Sequence, residues 1–178
     1  PFLLKGLDFE RQWAANLSKK IGLPVITAVE PHGIALKSMN VKKVAIATYF
    51  GDELNQAIVK HFSHFGLQST IMPGLDFSGQ KEDLYTTPLL KLDEVSYMDV
   101  YRHCKRGLEK MGSSVDAIYI NGGGWDAAPA VELLERDLKV KVVWALAAEM
   151  WLTYHKLKIN LTLAGNGSLF SGNYEPAA

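Results

Sequence analysis

The apolar run from Val44 to Phe50 constrains this chain more than any other feature. A strand with one wet face alternates apolar and polar residues, and this run does not. Both of its faces must be covered, as they are in parallel sheets flanked by crossover helices. The next 22 residues agree with such a fold. Asp52 can cap a helix with Leu54, Ile58, Phe62 and Phe65 inward and Gly66 closing it, and Gln68–Met72 is a weaker strand.

The alternation extends in both directions. Upstream, Asp8 can cap a helix with the apolar stripe Phe9, Trp13, Ala14 and Leu17, stopped near Gly22. Pro24–Val29 is a short β-rich run, and Pro31 then suits the first turn of a helix reaching Met39. Downstream, Pro73–Pro88 reads as a long loop, of the kind that often carries function. After it come a helix at Asp93–Met111, strand Ala117–Ile120, helix Ala127–Leu138, strand Lys141–Trp144 and helix Ala147–His155. Strands spaced by helices predict an α/β fold with a parallel sheet.

Composition excludes several classes. With 19 basic and 19 acidic residues the chain has no polyanion-binding character, and we expect no nucleic-acid partner. One cysteine permits no internal disulfide. No apolar run approaches the roughly 20 residues of a membrane span, so no membrane partner is expected. The opening Pro1-Phe2-Leu3-Leu4 lacks a leader pattern, which points to the cytoplasm. The triplets Asn16-Leu17-Ser18, Asn160-Leu161-Thr162 and Asn166-Gly167-Ser168 then read as chance matches to the glycosylation pattern.

The strongest chemical signal is Asn121-Gly122-Gly123-Gly124-Trp125-Asp126 between a strand and a helix. Ligands in parallel sheets bind beyond the carboxyl ends of strands. Glycines there admit close backbone approach, and free N–H groups at a helix start favour a carboxylate or oxyanion. The bland alternative is a tight turn with no ligand. Thr48, Tyr49 and Phe50, at the end of the first buried strand, would share that rim; Tyr49 either offers a hydroxyl to a substrate or covers the core. Glu30 and His32, two residues apart at another junction, could act as acid and base. Their bland reading has Glu30 capping its helix and His32 exposed. His61, His64, His103 and His155 read as solvated helix positions, and Cys104 as a small buried hydrophobe. No metal site and no cofactor are indicated.

These residues resemble the arylmalonate decarboxylases and maleate isomerases of the aspartate/glutamate racemase superfamily. The likeness runs from about Gly6 to Phe170 and rests on Gly22-Leu23-Pro24, Val41–Thr48, Asp52-Glu53-Leu54-Asn55, the glycine loop, Trp151 and Gly165–Phe170. The resemblance implies two pseudo-symmetric flavodoxin-like lobes with a small carboxylic acid held in the cleft between them. On that pattern residues 1–40 are the remainder of an incomplete first lobe, 41–146 the second lobe, and 147–178 a helix and tail returning to the first. The family's first catalytic loop would fall just before Pro1, and a chain without it should expose an apolar edge. The cysteine of the family's Ser-Cys-Gly-Gly loop falls on Gly122, and the family's tyrosine after the Ala-Thr strand on Phe50, beside Tyr49.

The resemblance therefore implies a cofactor-independent decarboxylase- or isomerase-like enzyme acting on a small (di)carboxylic acid. Thr48, Phe50, Asn121, Gly122, Gly123, Gly124 and Trp125 would bind the substrate, Tyr49 would donate a hydrogen bond, and Glu30 or His32 would replace the cysteine as proton carrier. The alternative is a non-catalytic carboxylate-binding member. A nucleotide-binding module of flavodoxin-like shape fits the pattern of elements alone. A homo-oligomer is left open.

Overall fold

The computed structural model describes residues 2–73, 95–159 and 163–177. Four parallel strands, β1 (Lys43–Ala47), β2 (Gln68–Ile71), β3 (Ala117–Ile120) and β4 (Lys141–Trp144), form one sheet in the order β2-β1-β3-β4. The central pair is in register from Val44 opposite Ala117 to Ala47 opposite Ile120. The β-rich reading of Pro24–Val29 does not hold. That segment joins no ladder, and the backbone N–H groups of Val29 and Glu30 instead donate to the Glu10 carboxylate at 3.1 and 3.0 Å.

Eight helices complete the described residues: α1 (Phe2–Lys5), α2 (Leu7–Ile21), α3 (Glu30–Ser38), α4 (Asp52–Ser63), α5 (Tyr97–Met111), α6 (Ala128–Leu138), α7 (Ala145–Lys156) and α8 (Ser168–Ser171). Strand residues alternate between two cores, as the two-residue period of a strand requires. Val44, Ile46, Ala117, Tyr119 and Val143 face Leu36, Phe62, Ala148 and Trp151 of α3, α4 and α7. Ala45, Ala47, Ile118, Ile120 and Val142 face Val100, Cys104, Val131 and Leu134 of α5 and α6. This double cover accounts for the unbroken apolar character of β1.

The far end of the chain is tied down by hydrogen bonds. Glu135 of α6 accepts from Ser168 N–H at 2.8 Å, from Ser168 Oγ–H at 2.6 Å and from Val142 N–H at 3.0 Å. Gly167, at φ 72°, has no room for a side chain against Val131 and Glu135. The Ala177 N–H then donates to Ser38 Oγ of α3 at 2.7 Å.

Several expectations need correction. β1 stops at Ala47, so Thr48–Phe50 already belong to the rim. The aromatic stripe of α2 does not face the core. Phe9 and Trp13 are 38% and 41% exposed, because the inward side of that helix carries Leu7 and the capping carboxylate of Glu10. Phe2 packs on the stripe instead, 4.8 Å from the Trp13 ring. His61 and His103 are buried rather than solvated. The loop read at Pro73–Pro88 lies, after Pro73, outside the described residues, as do Asp93 and Asn160-Leu161-Thr162. No helix among the described residues is long and apolar enough to cross a membrane.

Candidate functional site

Because Ala47 and Ile120 are partners, Thr48–Phe50 and Asn121–Trp125 leave the sheet side by side at the carboxyl rim. Gly122 sits at φ 87°, a conformation side chains rarely adopt, and a Cβ there would lie 2.3 Å from the Tyr49 hydroxyl. Tyr49 therefore occupies the space that a side chain at position 122 would need. Its Oη also accepts from the Gly124 N–H at 3.3 Å. On the other side of the loop, Trp144 Nε1–H donates to the Gly122 carbonyl at 3.0 Å.

Trp125 lies beneath this arrangement, almost wholly buried, with its ring perpendicular to Tyr49 at 5.0 Å. It is a floor for Tyr49 rather than a wall of the opening. Burial pushes the Tyr49 hydroxyl above the usual phenol range, opposed by the bond from Gly124. Gly123 and Gly124 are exposed. The loop thus presents backbone toward solvent with a phenol beside it.

Behind the rim runs a buried polar chain. His32 Nε2 lies 3.2 Å from Glu149 Oε1, and His32 Nδ1 lies 2.8 Å from Tyr119 Oη. Tyr119 donates to Asn121 Oδ1 at 3.0 Å, Asn121 Nδ2 to Thr48 Oγ1 at 3.4 Å, and Phe50 N–H to Thr48 Oγ1 at 3.0 Å. His32, Tyr119, Asn121 and Thr48 are all buried, while the Glu149 side chain is 30% exposed. His32 is therefore not the exposed residue of the bland reading.

Glu30 stands apart from this chain. Its carboxylate pairs with Arg11 at 2.6 Å, and its helix is capped through Glu10 rather than by its own side chain. Tyr119 and Glu149 were missed in the sequence, although a signal existed. A hydroxyl inside the fully buried strand Ala-Ile-Tyr-Ile, and one carboxylate in the apolar start of α7, each demand a partner.

The model of the arylmalonate decarboxylase family matches residues 2–170. The chain belongs to that family. A curated arylmalonate decarboxylase from Bordetella bronchiseptica is 25% identical over 147 residues, covering 83% of this chain and 57% of the relative. The chain thus spans little more than half the length of that relative. A crystal structure of arylmalonate decarboxylase shares the fold with a TM-score of 0.81 at 23% identity, over 94% of this chain and 69% of that one. A Cys-to-Ser variant of Nocardia farcinica maleate cis-trans isomerase, carrying a covalently bound succinylcysteine intermediate, has a TM-score of 0.77 at 15% identity, over 94% and 66%.

The glycine loop of this chain carries no thiol. The sole cysteine, Cys104, is fully buried under the sheet on α5, and burial pushes its thiol up to about 12. Among the described residues no group of three or more His, Cys, Asp or Glu side chains is placed to hold a metal ion. A cavity of about 460 Å³ does exist between α7, α8 and the tail, walled by Trp151, Tyr154, Phe170 and Tyr174. None of the candidate residues lines it. The candidate residues gather instead at the glycine loop, where the Gly124 N–H meets the Tyr49 phenol.

Proposed function

We propose that the Gly122–Gly124 loop and Tyr49 hold a carboxylate of a small (di)carboxylic acid, as one side of a decarboxylase- or isomerase-like site. The observation that carries this is the placement of Tyr49 Oη where a side chain on Gly122 would project, next to the Gly124 N–H. A ligand oxygen that displaced or joined this bond would meet a backbone N–H and a phenol O–H, the donor pair an enediolate or carboxylate requires. In this reading Tyr49 stands in for the family cysteine as the proton-bearing group, with Thr48, Phe50 and Asn121 shaping the rim. His32 acts on the rim from behind, and Glu30 serves the α2–α3 junction.

The same reading assigns residues 1–40 to a first lobe, 41–146 to a second, and 147–178 to a helix and tail that return to the first. The bond from Ala177 to Ser38 and the packing of α3 on α7 support that return. The equal numbers of basic and acidic residues support a small-molecule partner rather than nucleic acid, with the cytoplasm as the proposed location. A non-catalytic carboxylate binder is the second reading, favoured by the burial of Cys104 away from the loop.

Calorimetry with malonate and maleate tests binding, and carbon dioxide release or fumarate formation tests turnover. Binding without turnover would select the second reading. No binding, or binding unchanged by Tyr49→Ala, would remove the site from the glycine loop.

A further inference from the structure

We propose that Glu149, His32 and Tyr119 form a positioning relay that sets which way the Asn121 amide faces, and through it whether Thr48 can donate a hydrogen bond at the rim. The directions follow from what each atom can do. Asn121 Oδ1 only accepts, so the Tyr119 hydroxyl proton, 3.0 Å away, points at it. The phenol oxygen must then accept from His32 Nδ1–H at 2.8 Å. On the far side of the ring Nε2 lies 3.2 Å from Glu149 Oε1, and in the relay that contact is a hydrogen bond holding a second proton. The His32–Glu149 pair therefore holds one proton more than a neutral ring donating to an ionised carboxylate.

Removing that proton reverses the chain. A bare Nδ1 has to accept, so the Tyr119 proton turns to His32. The amide then rotates, offering Nδ2–H to the phenol and Oδ1 to Thr48. At present Thr48 Oγ1 accepts from Asn121 Nδ2 and from Phe50 N–H, and its own proton is not spent in either bond. After the reversal that proton is committed inward to Asn121. Burial of His32, Tyr119, Asn121 and Thr48 keeps the states distinct, because a mispaired polar group in a low-dielectric interior is costly.

The charged surroundings leave Glu149 as the balancing group for a proton on His32. Tyr119 from β3 bonds to the pair, with Tyr49 acting on the Tyr119 hydroxyl, and His61 from α4 feels the charge of His32; Arg11 of α2 acts on His61 in turn, while Glu10 and Glu30 lie at the α2–α3 junction. His61 is held neutral by burial, Arg11 is paired with Glu30, and Glu10 is occupied in capping α3. Carboxylate binding at the loop would favour the protonated state, with its free Thr48 donor. By linkage, the ligand and the proton then strengthen each other.

The ligand-free arm of the test follows the Asn121 side-chain amide and the His32 ring nitrogens by ¹⁵N NMR, from about pH 6 to about pH 9. We expect both to move on one curve, and Tyr119→Phe to abolish the Asn121 response while the ring still titrates. A static Asn121 amide, a ring that keeps one protonation state, or coupling that survives Tyr119→Phe overturns the relay. The second arm rests on the carboxylate reading. Fumarate, ionised throughout this range, should bind about tenfold more tightly at the acid end, and equally at both ends in Tyr119→Phe. Equal binding at both ends in the unaltered protein overturns the effect on Thr48. Failure of fumarate, malonate and maleate alike overturns only the carboxylate reading, since the ligand-free arm judges the relay by itself.

Discussion

The two faces of the sheet are covered by helices in both cases, yet they are filled with different chemistry. Under α5 and α6 lie Ala45, Ile118, Ile120, Cys104, Trp125 and Leu134, joined by dispersion and area burial. Under α3, α4 and α7 the apolar residues are threaded by His32, Tyr119 and His61, with Glu149 at the margin. The first face holds its shape chiefly by packing, with the buried imidazole of His103 beside Trp125 as its titratable exception. The second holds it through groups whose bonds depend on protonation, and that is the face continuous with Asn121 and Thr48.

The largest expected effect tests the apolar face. Trp125→Ala removes the largest fully buried side chain among the described residues and the floor under Tyr49. It should cost about 3 to 5 kcal/mol, nearly the same at neutral and mildly acid pH. Urea unfolding at two pH values measures this, and a strongly pH-dependent loss would break the contrast between the faces.

The next effect belongs to the polar face. His61 is held at about 4 by burial, with the neighbouring charge of His32 acting in the same direction. An unfolded chain takes up this proton near 6.5, before the native protein does. The native state thus binds fewer protons, and stability falls as pH drops from about 6.5 to about 4, by about 3 kcal/mol over the whole window. His61→Leu should flatten much of that slope. Burial also lowers His103, on the opposite face, so a residual slope of the same sign should remain. A slope untouched by His61→Leu would place the acid sensitivity elsewhere.

These contrasts explain what the sequence could and could not show. β3 and β4 were legible to the residue, because short buried runs with turns on both sides leave little choice of boundary. The loop after β3 and the rim it shares with Thr48–Phe50 followed from parallel topology, whereas the bond between Tyr49 and Gly124 is visible only in the fold. The face of α2 did not, since a stripe of Phe9 and Trp13 looks inward until Glu10 is seen to serve α3. His61 was misread for a related reason. Helical periodicity marks a buried arc, but only the neighbours fix its width, and here Phe62, Phe65 and Val29 widen it enough to include the imidazole. Tyr119 and Glu149 come from segments more than 25 residues apart, and only the fold brings them to one histidine.

A smaller effect is expected where the two faces meet at the rim. Gly122→Ala places a Cβ at φ 87° and within 2.3 Å of Tyr49 Oη, and should cost about 2 kcal/mol. In a Tyr49→Ala background the steric part disappears and only the backbone strain remains. The double-mutant cycle should therefore show coupling of about 1 kcal/mol. Additive costs would mean that Tyr49 does not fill the space of a side chain at position 122. Gly122→Cys obeys the same geometry. A thiol at position 122 should be reactive, measured by thiol labelling, only when Tyr49 is also made small.

The smallest effect is local to the apolar face and asks whether that face depends on anything beyond packing. Ser96 and Asp99 close the start of α5 reciprocally. Ser96 Oγ accepts from Asp99 N–H at 3.3 Å, and Asp99 Oδ2 accepts from Ser96 N–H at 3.2 Å and from its hydroxyl at 2.6 Å. The hydroxyl bond is the main reason the Asp99 carboxyl lies below the usual range. Ser96→Ala removes two of these three bonds and should cost about 1 kcal/mol, a lowering of the melting temperature by about 2 to 4 °C. Ser96→Asn, which can still accept from the helix, should restore most of it. Because Val100 and Cys104 on the same helix are fully buried, fraying at Ser96 should stop within the first turn and leave the Trp125 floor in place. Hydrogen exchange distinguishes the cases: faster exchange confined to the first turn of α5 keeps the two faces independent, whereas loss of protection reaching Trp125 and the glycine loop would show that the apolar face is also wired to the rim.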